Sequence, residues 1–175
     1  MKGKKLVVLL GILAMVLLLA VPMASKATFA AENITEVSGN VTSSISISVP
    51  PLINLGDIPL GGEAESANYT ITVHGESGYN VTVIVRDAKT SGATGNMEAD
   101  TYNLSAPLEV KGGDKPGYVE LPTAVNETIT LEDCGLLSGG QYQITDFGVR
   151  QQVSWSDQVA DGYHIILYLW TSYVG

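Results

Sequence analysis

Short runs in which apolar and polar side chains alternate one by one dominate the chain after residue 40. Alternation with a period of two places the apolar side chains on one face of a β-strand. Many of these apolar residues are β-branched, which also favours strands. The clearest runs cover residues 44–49, 68–73, 80–85 and 128–131. No segment after residue 40 shows helical periodicity, so the sequence predicts an all-β domain.

Glycine, proline and asparagine separate these runs at short intervals. Seven or eight short strands with no helix to cross between them predict a single antiparallel immunoglobulin-like β-sandwich, with a barrel as the second architecture. The tight segment His74–Gly78 is expected to form a hairpin between strands at 68–73 and 79–86.

The last two predicted strands are the most apolar. In the first, Val149, Gln151, Val153 and Trp155 share a face, so Trp155 is expected to pack. The second, residues 163–172, is apolar on both faces, and His164 within it is expected to be a packed histidine. One face of this run holds Ile166, Tyr168 and Trp170. That face is expected to be either core, covered by a loop such as 52–60, or a surface for assembly.

The N-terminus has the organisation of a secretory signal peptide spanning residues 1–30. Three lysines precede an apolar run from Leu6 to Val21, which Pro22 ends. Small residues then favour cleavage after Ala27 or Ala30. An uncleaved membrane anchor is the alternative. We therefore expect a secreted or cell-surface protein whose mature part, residues 31–175, is one domain with no stable membrane insertion.

Charge limits the partners of this mature part. The whole chain has a formal net charge of −9. Four of its nine basic residues precede residue 31, whereas all 18 acidic residues follow it, so the predicted mature charge is −13. Such a surface repels nucleic acid and anionic lipid. We expect self-association, other surface proteins or glycans as partners instead.

Asparagine occurs mostly within Asn-x-Ser/Thr tripeptides, the acceptor pattern for N-glycosylation. These sequons are more frequent than composition alone predicts. We expect surface positions for them, with Asn68 and Asn80 on strand faces opposite their apolar neighbours. The candidate glycosylation sites are Asn33, Asn40, Asn68, Asn80, Asn103 and Asn126.

The sequence favours no catalytic centre. His74 and His164 are the only histidines, and neither has the local context of a Ser-His-Asp set. Cys134, the only cysteine, follows Asp133 and has no evident base. It is expected to be a free thiol, with an intermolecular disulfide as the alternative. We expect no enzyme, cofactor or catalytic residue.

Metal-ligand spacing of cysteine and histidine is absent. Calcium binding by neighbouring carboxylates is a minor alternative, either at Glu132 with Asp133 or at Asp157 with Asp161.

Residues 32–49 form a polar leader that runs into an alternating Ser/Ile strand. Such a strand can pair with its own sheet or be donated to the open edge of the next subunit. Donation would give a head-to-tail filament. Its apolar row would be Ile45, Ile47 and Val49.

The C-terminal segments 151–157 and 160–167 read QQVSWSD and ADGYHIIL. They resemble the closing hairpin of secreted prokaryotic β-sandwich surface proteins, namely the TasA/camelysin-type fibre subunits and the WxL-type cell-surface proteins. The paired WxL tripeptides are absent, since Trp155 and Trp170 are followed by other residues. The TasA-type resemblance implies an extracellular fibre or biofilm-matrix role without catalysis.

Together these features predict a non-catalytic structural protein of the cell surface or matrix, assembling by strand donation. The alternative is a monomeric module that binds carbohydrate or protein, and a hydrolase ranks third. In a carbohydrate-binding module, exposed aromatic side chains would form the flat surface on which a sugar stacks. The candidates near predicted loops are Tyr79, Tyr102, Tyr118 and Tyr142.

Overall fold

A computed structural model of the chain describes residues 44–92 and 94–174, and these residues form strands, turns and loops. The longer strands are β3 (Tyr69–His74), β4 (Asn80–Asp87), β8 (Lys115–Glu120), β9 (Ile129–Leu136), β10 (Gln141–Gln152) and β11 (Leu167–Val174). The shorter strands are β1 (Ser46–Ser48), β2 (Glu63–Glu65), β5 (Glu98–Ala99), β6 (Tyr102–Asn103) and β7 (Glu109–Gly112). No helix in these ranges has the length and apolarity needed to cross a membrane.

The strands form an antiparallel β-sandwich, as predicted. The larger sheet has the order β1-β3-β10-β7-β8, with β2 also paired to β10. The smaller sheet has the order β11-β4-β9, and β5 and β6 form a separate ribbon. More strands are present than the seven or eight expected, because β2, β5 and β6 are too short to show a period.

The core lies between the two sheets and consists of the apolar rows that the alternation predicts. Ile71 and Val73 of β3 and Val81, Val83 and Val85 of β4 are fully buried. The core is completed by residues of the other strands and loops, including Val110, Leu121, Leu131, Leu137, Ile144 and Phe147. Burial of these side chains is the main stabilising contribution to the fold.

Strand β10 is the central strand of the larger sheet. Its first half pairs with β3, and Gly148–Arg150 pair with β7. Residues Arg150–Gln152 also pair with β2 on the other side. The pairing with β3 shifts between Ile144 and Phe147, which indicates a β-bulge. Strand β10 therefore links β3 and β2 on one side to β7 on the other.

The expected hairpin at His74–Gly78 is wrong. Strands β3 and β4 lie in different sheets, so this connection crosses from one layer of the sandwich to the other. Its backbone bonds go to other segments: Gly75 N–H donates to the Gly140 carbonyl and Gly78 N–H to the Leu137 carbonyl. Both strands bury an apolar row in the same core, β3 from the larger sheet and β4 from the smaller one.

The expected closing hairpin is wrong for the same reason. Strand β10 belongs to the larger sheet, whereas β11 pairs with β4 in the smaller one. The intervening residues 153–166 pass between layers. Glu98 and His164 form an isolated bridge within this passage.

Candidate functional site

Strand β1, the predicted donor strand, lies at one edge of the larger sheet. Ser46, Ile47 and Ser48 pair with His74, Val73 and Thr72 of β3. Ile45 and Ile47 are half-buried and pack against the core. Val49 lies beyond the strand and is 38% exposed. The chain thus supplies this apolar row to its own sheet in the single subunit.

Tyr173 of β11 holds the start of β1 in place. Its hydroxyl donates to the Ser44 carbonyl oxygen at 3.1 Å and accepts from the Glu76 backbone N–H at 2.8 Å. The ring also lies 5.1 Å from that of Tyr79. A side chain at Gly75 would not fit, since its Cβ would lie 2.5 Å from the Tyr173 hydroxyl. Tyr173 therefore connects the two sheets at the position of β1.

Strand β11 forms the edge of the smaller sheet, and both of its faces are apolar, as predicted. Leu167, Leu169 and Tyr173 pack against the core. Tyr168, on the outer face, is 51% exposed, and Ile166, just before the strand, is 67% exposed. No described segment covers these two side chains. The expectation that residues 52–60 would cover this face is wrong, because Ile53 and Leu55 pack against the core instead.

The outer face of β11 is organised around aromatic contacts. The rings of Tyr168 and Trp170 lie 5.2 Å apart, and Trp170 is half-buried. The guanidinium carbon of Arg86, on the paired strand β4, lies 5.3 Å from the Tyr168 ring centroid. This geometry fixes an apolar surface with one cation at its margin.

Trp155 was expected to pack and does not. It lies in a turn after β10, with 80% of the residue exposed. One side of the indole lies on Gly61, where a Cβ would approach Cε2 and Nε1 to 2.3 Å. Asp157 fixes the turn through hydrogen bonds from Ser154 N–H at 2.7 Å and Ser105 N–H at 3.0 Å. The hydrogen-bonded turn thus presents the indole to solvent, with one side of the ring on Gly61.

The four sequon asparagines within the described residues, Asn68, Asn80, Asn103 and Asn126, are all exposed. Asn33 and Asn40 lie outside the described residues. Their use for glycosylation stays a prediction.

The four tyrosines of the predicted sugar platform differ in exposure. Tyr79 and Tyr102 are 49% and 45% exposed. Tyr118 is half-buried between two cations, with Arg150 at 4.6 Å and Lys111 at 4.9 Å from the ring centroid. Tyr142 is half-buried and donates its hydroxyl proton to Glu132. Only the first two are open to a ligand.

A half-buried group of charged side chains around Arg150 joins three neighbouring strands. The Arg150 guanidinium donates two hydrogen bonds to Glu109 of β7 and lies 3.6 Å from Glu65 of β2. These hydrogen bonds with Glu109 raise the pKa of Arg150 above its ordinary range. The group links β10 to its neighbours on both sides.

Glu132 is buried and adjoins several carboxylates. Burial is the main reason that its pKa is raised, and the carboxylates of Asp114, Asp133 and Asp146 add to this rise. The Tyr142 hydroxyl bond acts in the opposite direction. In the described part of the chain, no group of three or more acidic, histidine or cysteine side chains has an arrangement that could hold a metal ion.

Cys134 is a free, exposed thiol in β9, where its φ of 69° marks an irregular position of the strand. Its sulfur lies 3.7 Å from Asp133 Oδ1. Desolvation and the neighbouring carboxylates raise its pKa, which lowers the fraction of reactive thiolate.

The histidines lack the partners of a catalytic base. His164 is exposed, not packed as expected, and its Nδ1 lies 3.1 Å from the Gly162 carbonyl oxygen. Within residues 44–92 and 94–174, neither imidazole hydrogen-bonds to a serine, a cysteine or a carboxylate.

A cavity of about 190 Å³ lies beside His164, Lys89 and Glu98. Lys89 and Glu98 form an ion pair. Asp87 at the same cavity accepts hydrogen bonds from the backbone N–H groups of Lys89 and Gly95, both at 2.9 Å. These polar side chains have structural partners.

Comparison with known proteins gives distant structural similarity. No protein-family model matches the sequence, and no curated protein matches it. One similar solved structure is a chaperone–usher pilus, with 15% identity over 83% of this chain and 97% of that chain and a TM-score of 0.43. Another is the P pilus rod subunit PapA, with 14% identity over 75% and 99% of the two chains and a TM-score of 0.42. The TasA-type and WxL-type resemblance stays a prediction.

Proposed function

We propose that the protein is a non-catalytic structural subunit of the cell surface or extracellular matrix that assembles by exchange of β1. The observation that carries this proposal is the position of β1. It is an edge strand with three residue pairs, and Ile47 within it and Ile45 just before it pack against the core. A second copy can supply the same strand with the same contacts.

In the exchanged state, β1 makes the same contacts with β3 of the neighbouring subunit that it makes with its own β3. The free energy lost when β1 leaves its own sheet is therefore regained in the neighbouring one. Pro50 and Pro51 follow one residue after β1 and prevent it from continuing as a paired strand. Residues 49–62 connect β1 to β2. When extended at roughly 3.3 Å per residue, this connection spans about 45 Å, enough to reach a neighbouring domain. Each subunit would then donate one strand and accept one.

Matched substitutions on the two faces of β1 test this proposal. Ile47→Asp removes a half-buried apolar contact, whereas Ser46→Asp changes an exposed position of the same strand. We expect filaments in negative-stain micrographs of the wild type and of Ser46→Asp, and none for Ile47→Asp. Light scattering would record the same difference. Monodisperse monomers of the wild type at every concentration, or assembly that survives deletion of residues 32–49, would contradict exchange.

We propose export through the segment 1–30, with cleavage after Ala27 or Ala30, and glycosylation at the sequons. N-terminal sequencing of the protein recovered from cells that express the full chain tests the first. Glycopeptide mass spectrometry, with Asn80→Gln as a matched variant, tests the second. An intact N-terminus would contradict cleavage, and unmodified sequon peptides would contradict glycosylation.

A second candidate function is carbohydrate binding, favoured by Trp155. An indole held in solvent by a hydrogen-bonded turn is suited to stack on the C–H face of a sugar, and serine hydroxyls flank it. Co-sedimentation with insoluble cellulose, chitin and peptidoglycan would measure this binding. We expect Trp155→Ala to abolish binding and Tyr102→Ala to retain it. Equal retention of both variants would exclude Trp155 as the platform.

A further inference from the structure

The edge strands of the sandwich differ in how well they are protected against pairing with another chain. A free strand edge exposes backbone donors and acceptors, and folded proteins block such edges with short strands, charges, prolines or bulges. Strand β1 has three residues and is followed by two prolines. Strand β2 also has three residues, two of which are Glu63 and Glu65. Both edges are thus short, and β2 is charged.

The edges at β8 and β9 are protected in other ways. Strand β8 contains Pro116 and carries charge at Lys115 and Glu120. Strand β9 contains Glu132 and Asp133, and its register with β4 shifts twice. Each irregularity turns backbone groups away from the direction in which a new strand would pair.

Strand β11 has none of these protections. It is eight residues long, contains no charge, proline or glycine, and pairs with β4 without any register shift. No described segment hydrogen-bonds to the other side of its backbone. We propose that β11 is an interface between two copies of this chain, in which it pairs antiparallel with β11 of a second copy.

A second copy is the partner that fits this edge. The other strand edges within the described residues are short, charged or irregular, so among these edges the available complement to β11 is β11 itself. Such a contact is isologous, with the same surface on both subunits. The outward side chains of β11 and β4 include Tyr168, Trp170, Ile84 and Arg86 and no carboxylate. Two acidic subunits can therefore approach here without opposing carboxylates.

The pleat of the strands fixes the register of this pair. Directly opposed residues in an antiparallel pair share a face, and a slip of one residue places every side chain on the other face. A symmetric pair centred on Trp170 keeps the outward residues together, setting Tyr168 opposite Ser172 of the second copy. It also keeps Leu169 and Thr171 on the core side. This register aligns residues 166–174 and joins the two smaller sheets into one.

Cysteine cross-linking tests both the contact and its register. In full-length protein carrying Cys134→Ser, Trp170→Cys is expected to form a disulfide-linked dimer on mild oxidation. Opposed Cα atoms lie about 4.5–5.5 Å apart, within the range of a disulfide. Tyr168→Cys alone should not cross-link, because its two copies lie about 13 Å apart along the strand. A mixture of Tyr168→Cys and Ser172→Cys should.

Val159→Cys provides the control for random collision, since Val159 is 83% exposed in a loop. Cross-linking of Trp170→Cys no faster than Val159→Cys would overturn the proposal. Hydrogen exchange of the wild type tests it without substitution: β11 amides should become more protected as concentration rises, together with a dimer in analytical ultracentrifugation. Protection that is independent of concentration would indicate that another part of the same chain covers β11, and would also overturn it. These outcomes do not depend on whether β1 is exchanged or filaments form.

Discussion

The hydroxyl of Tyr173 donates a hydrogen bond to the Ser44 carbonyl oxygen across 3.1 Å, joining the last strand of the smaller sheet to the residues that precede β1. The Tyr173 hydroxyl oxygen in turn accepts a hydrogen bond from the Glu76 N–H, in the connection between the sheets. One side chain near the C-terminus thus influences how firmly the first strand is held. If β1 is exchanged between subunits, this bond opposes its release.

Tyr173→Phe is expected to weaken the docking of β1. Loss of the two hydrogen bonds of the hydroxyl would cost about 1 kcal/mol, equivalent to roughly fivefold faster hydrogen exchange at Ser46 and Ile47. Tyr79→Phe is the matched control, because Tyr79 stacks on the same ring. Equal exchange rates in both variants would show that the Tyr173 hydroxyl does not hold β1.

Arg150→Ala is expected to destabilise the larger sheet. The substitution leaves the half-buried Glu109 without its two hydrogen bonds and removes the cation over Tyr118. The expected loss is about 2 kcal/mol in the free energy of unfolding, measured by urea denaturation. Arg150→Lys retains the charge but cannot form the two parallel hydrogen bonds to Glu109. Its stability should therefore lie between that of the wild type and that of Arg150→Ala. A value for Arg150→Lys equal to that of the wild type would show that charge alone suffices.

Glu132→Gln is expected to stabilise the protein at neutral pH. The pKa of Glu132 is higher in the folded protein than its ordinary value, so the folded state favours the protonated carboxyl. Its ionisation therefore reduces stability as pH rises from the ordinary value through the raised one. The gain should be at most about 1 kcal/mol at pH 7 and should vanish below about pH 4. Thermal unfolding of both proteins across this range measures it, and a gain that persists at low pH would point to another cause.

Trp155→Ala is expected to leave stability unchanged to within about 0.5 kcal/mol, because most of this side chain is in solvent. A packed tryptophan would lose about 3–5 kcal/mol on the same substitution. Thermal unfolding therefore distinguishes the exposed turn from the strand position that the sequence predicted. A large loss would place the indole in the core.

The strands themselves could be predicted from the sequence, but not their partners. Alternation reports which side chains of a segment face the core, and it identified Ile71 and Val73 as well as Val81 to Val85 correctly. It does not report which sheet contains the segment. A short connection such as His74–Gly78 serves a hairpin and a crossing between layers equally well. The distinction depends on distant groups such as the carbonyls of Leu137 and Gly140.

Of the candidate surfaces, the sequence predicts the apolar faces of β11 correctly and the position of Trp155 wrongly. The two apolar faces of β11 were visible in the sequence because they interrupt the usual alternation. Trp155 was assigned to a strand because it continues the pattern of Val149, Gln151 and Val153. The chain turns before it, where Asp157 accepts the Ser154 N–H. The polar residues Ser154, Ser156 and Asp157 are compatible with a strand end and with a turn, so alternation alone does not show where the chain turns.

The central position of β10 affects how the chain folds during synthesis. The strands before it cannot complete the larger sheet until residues 141–152 are available, and β4 lacks one neighbour until β11 has been made. Both layers are therefore completed by β10 and β11, with contacts between residues far apart in sequence. Such non-local strand pairing favours slow folding. Until β10 and β11 have paired, the apolar rows of the earlier strands lack their cover and are prone to aggregation.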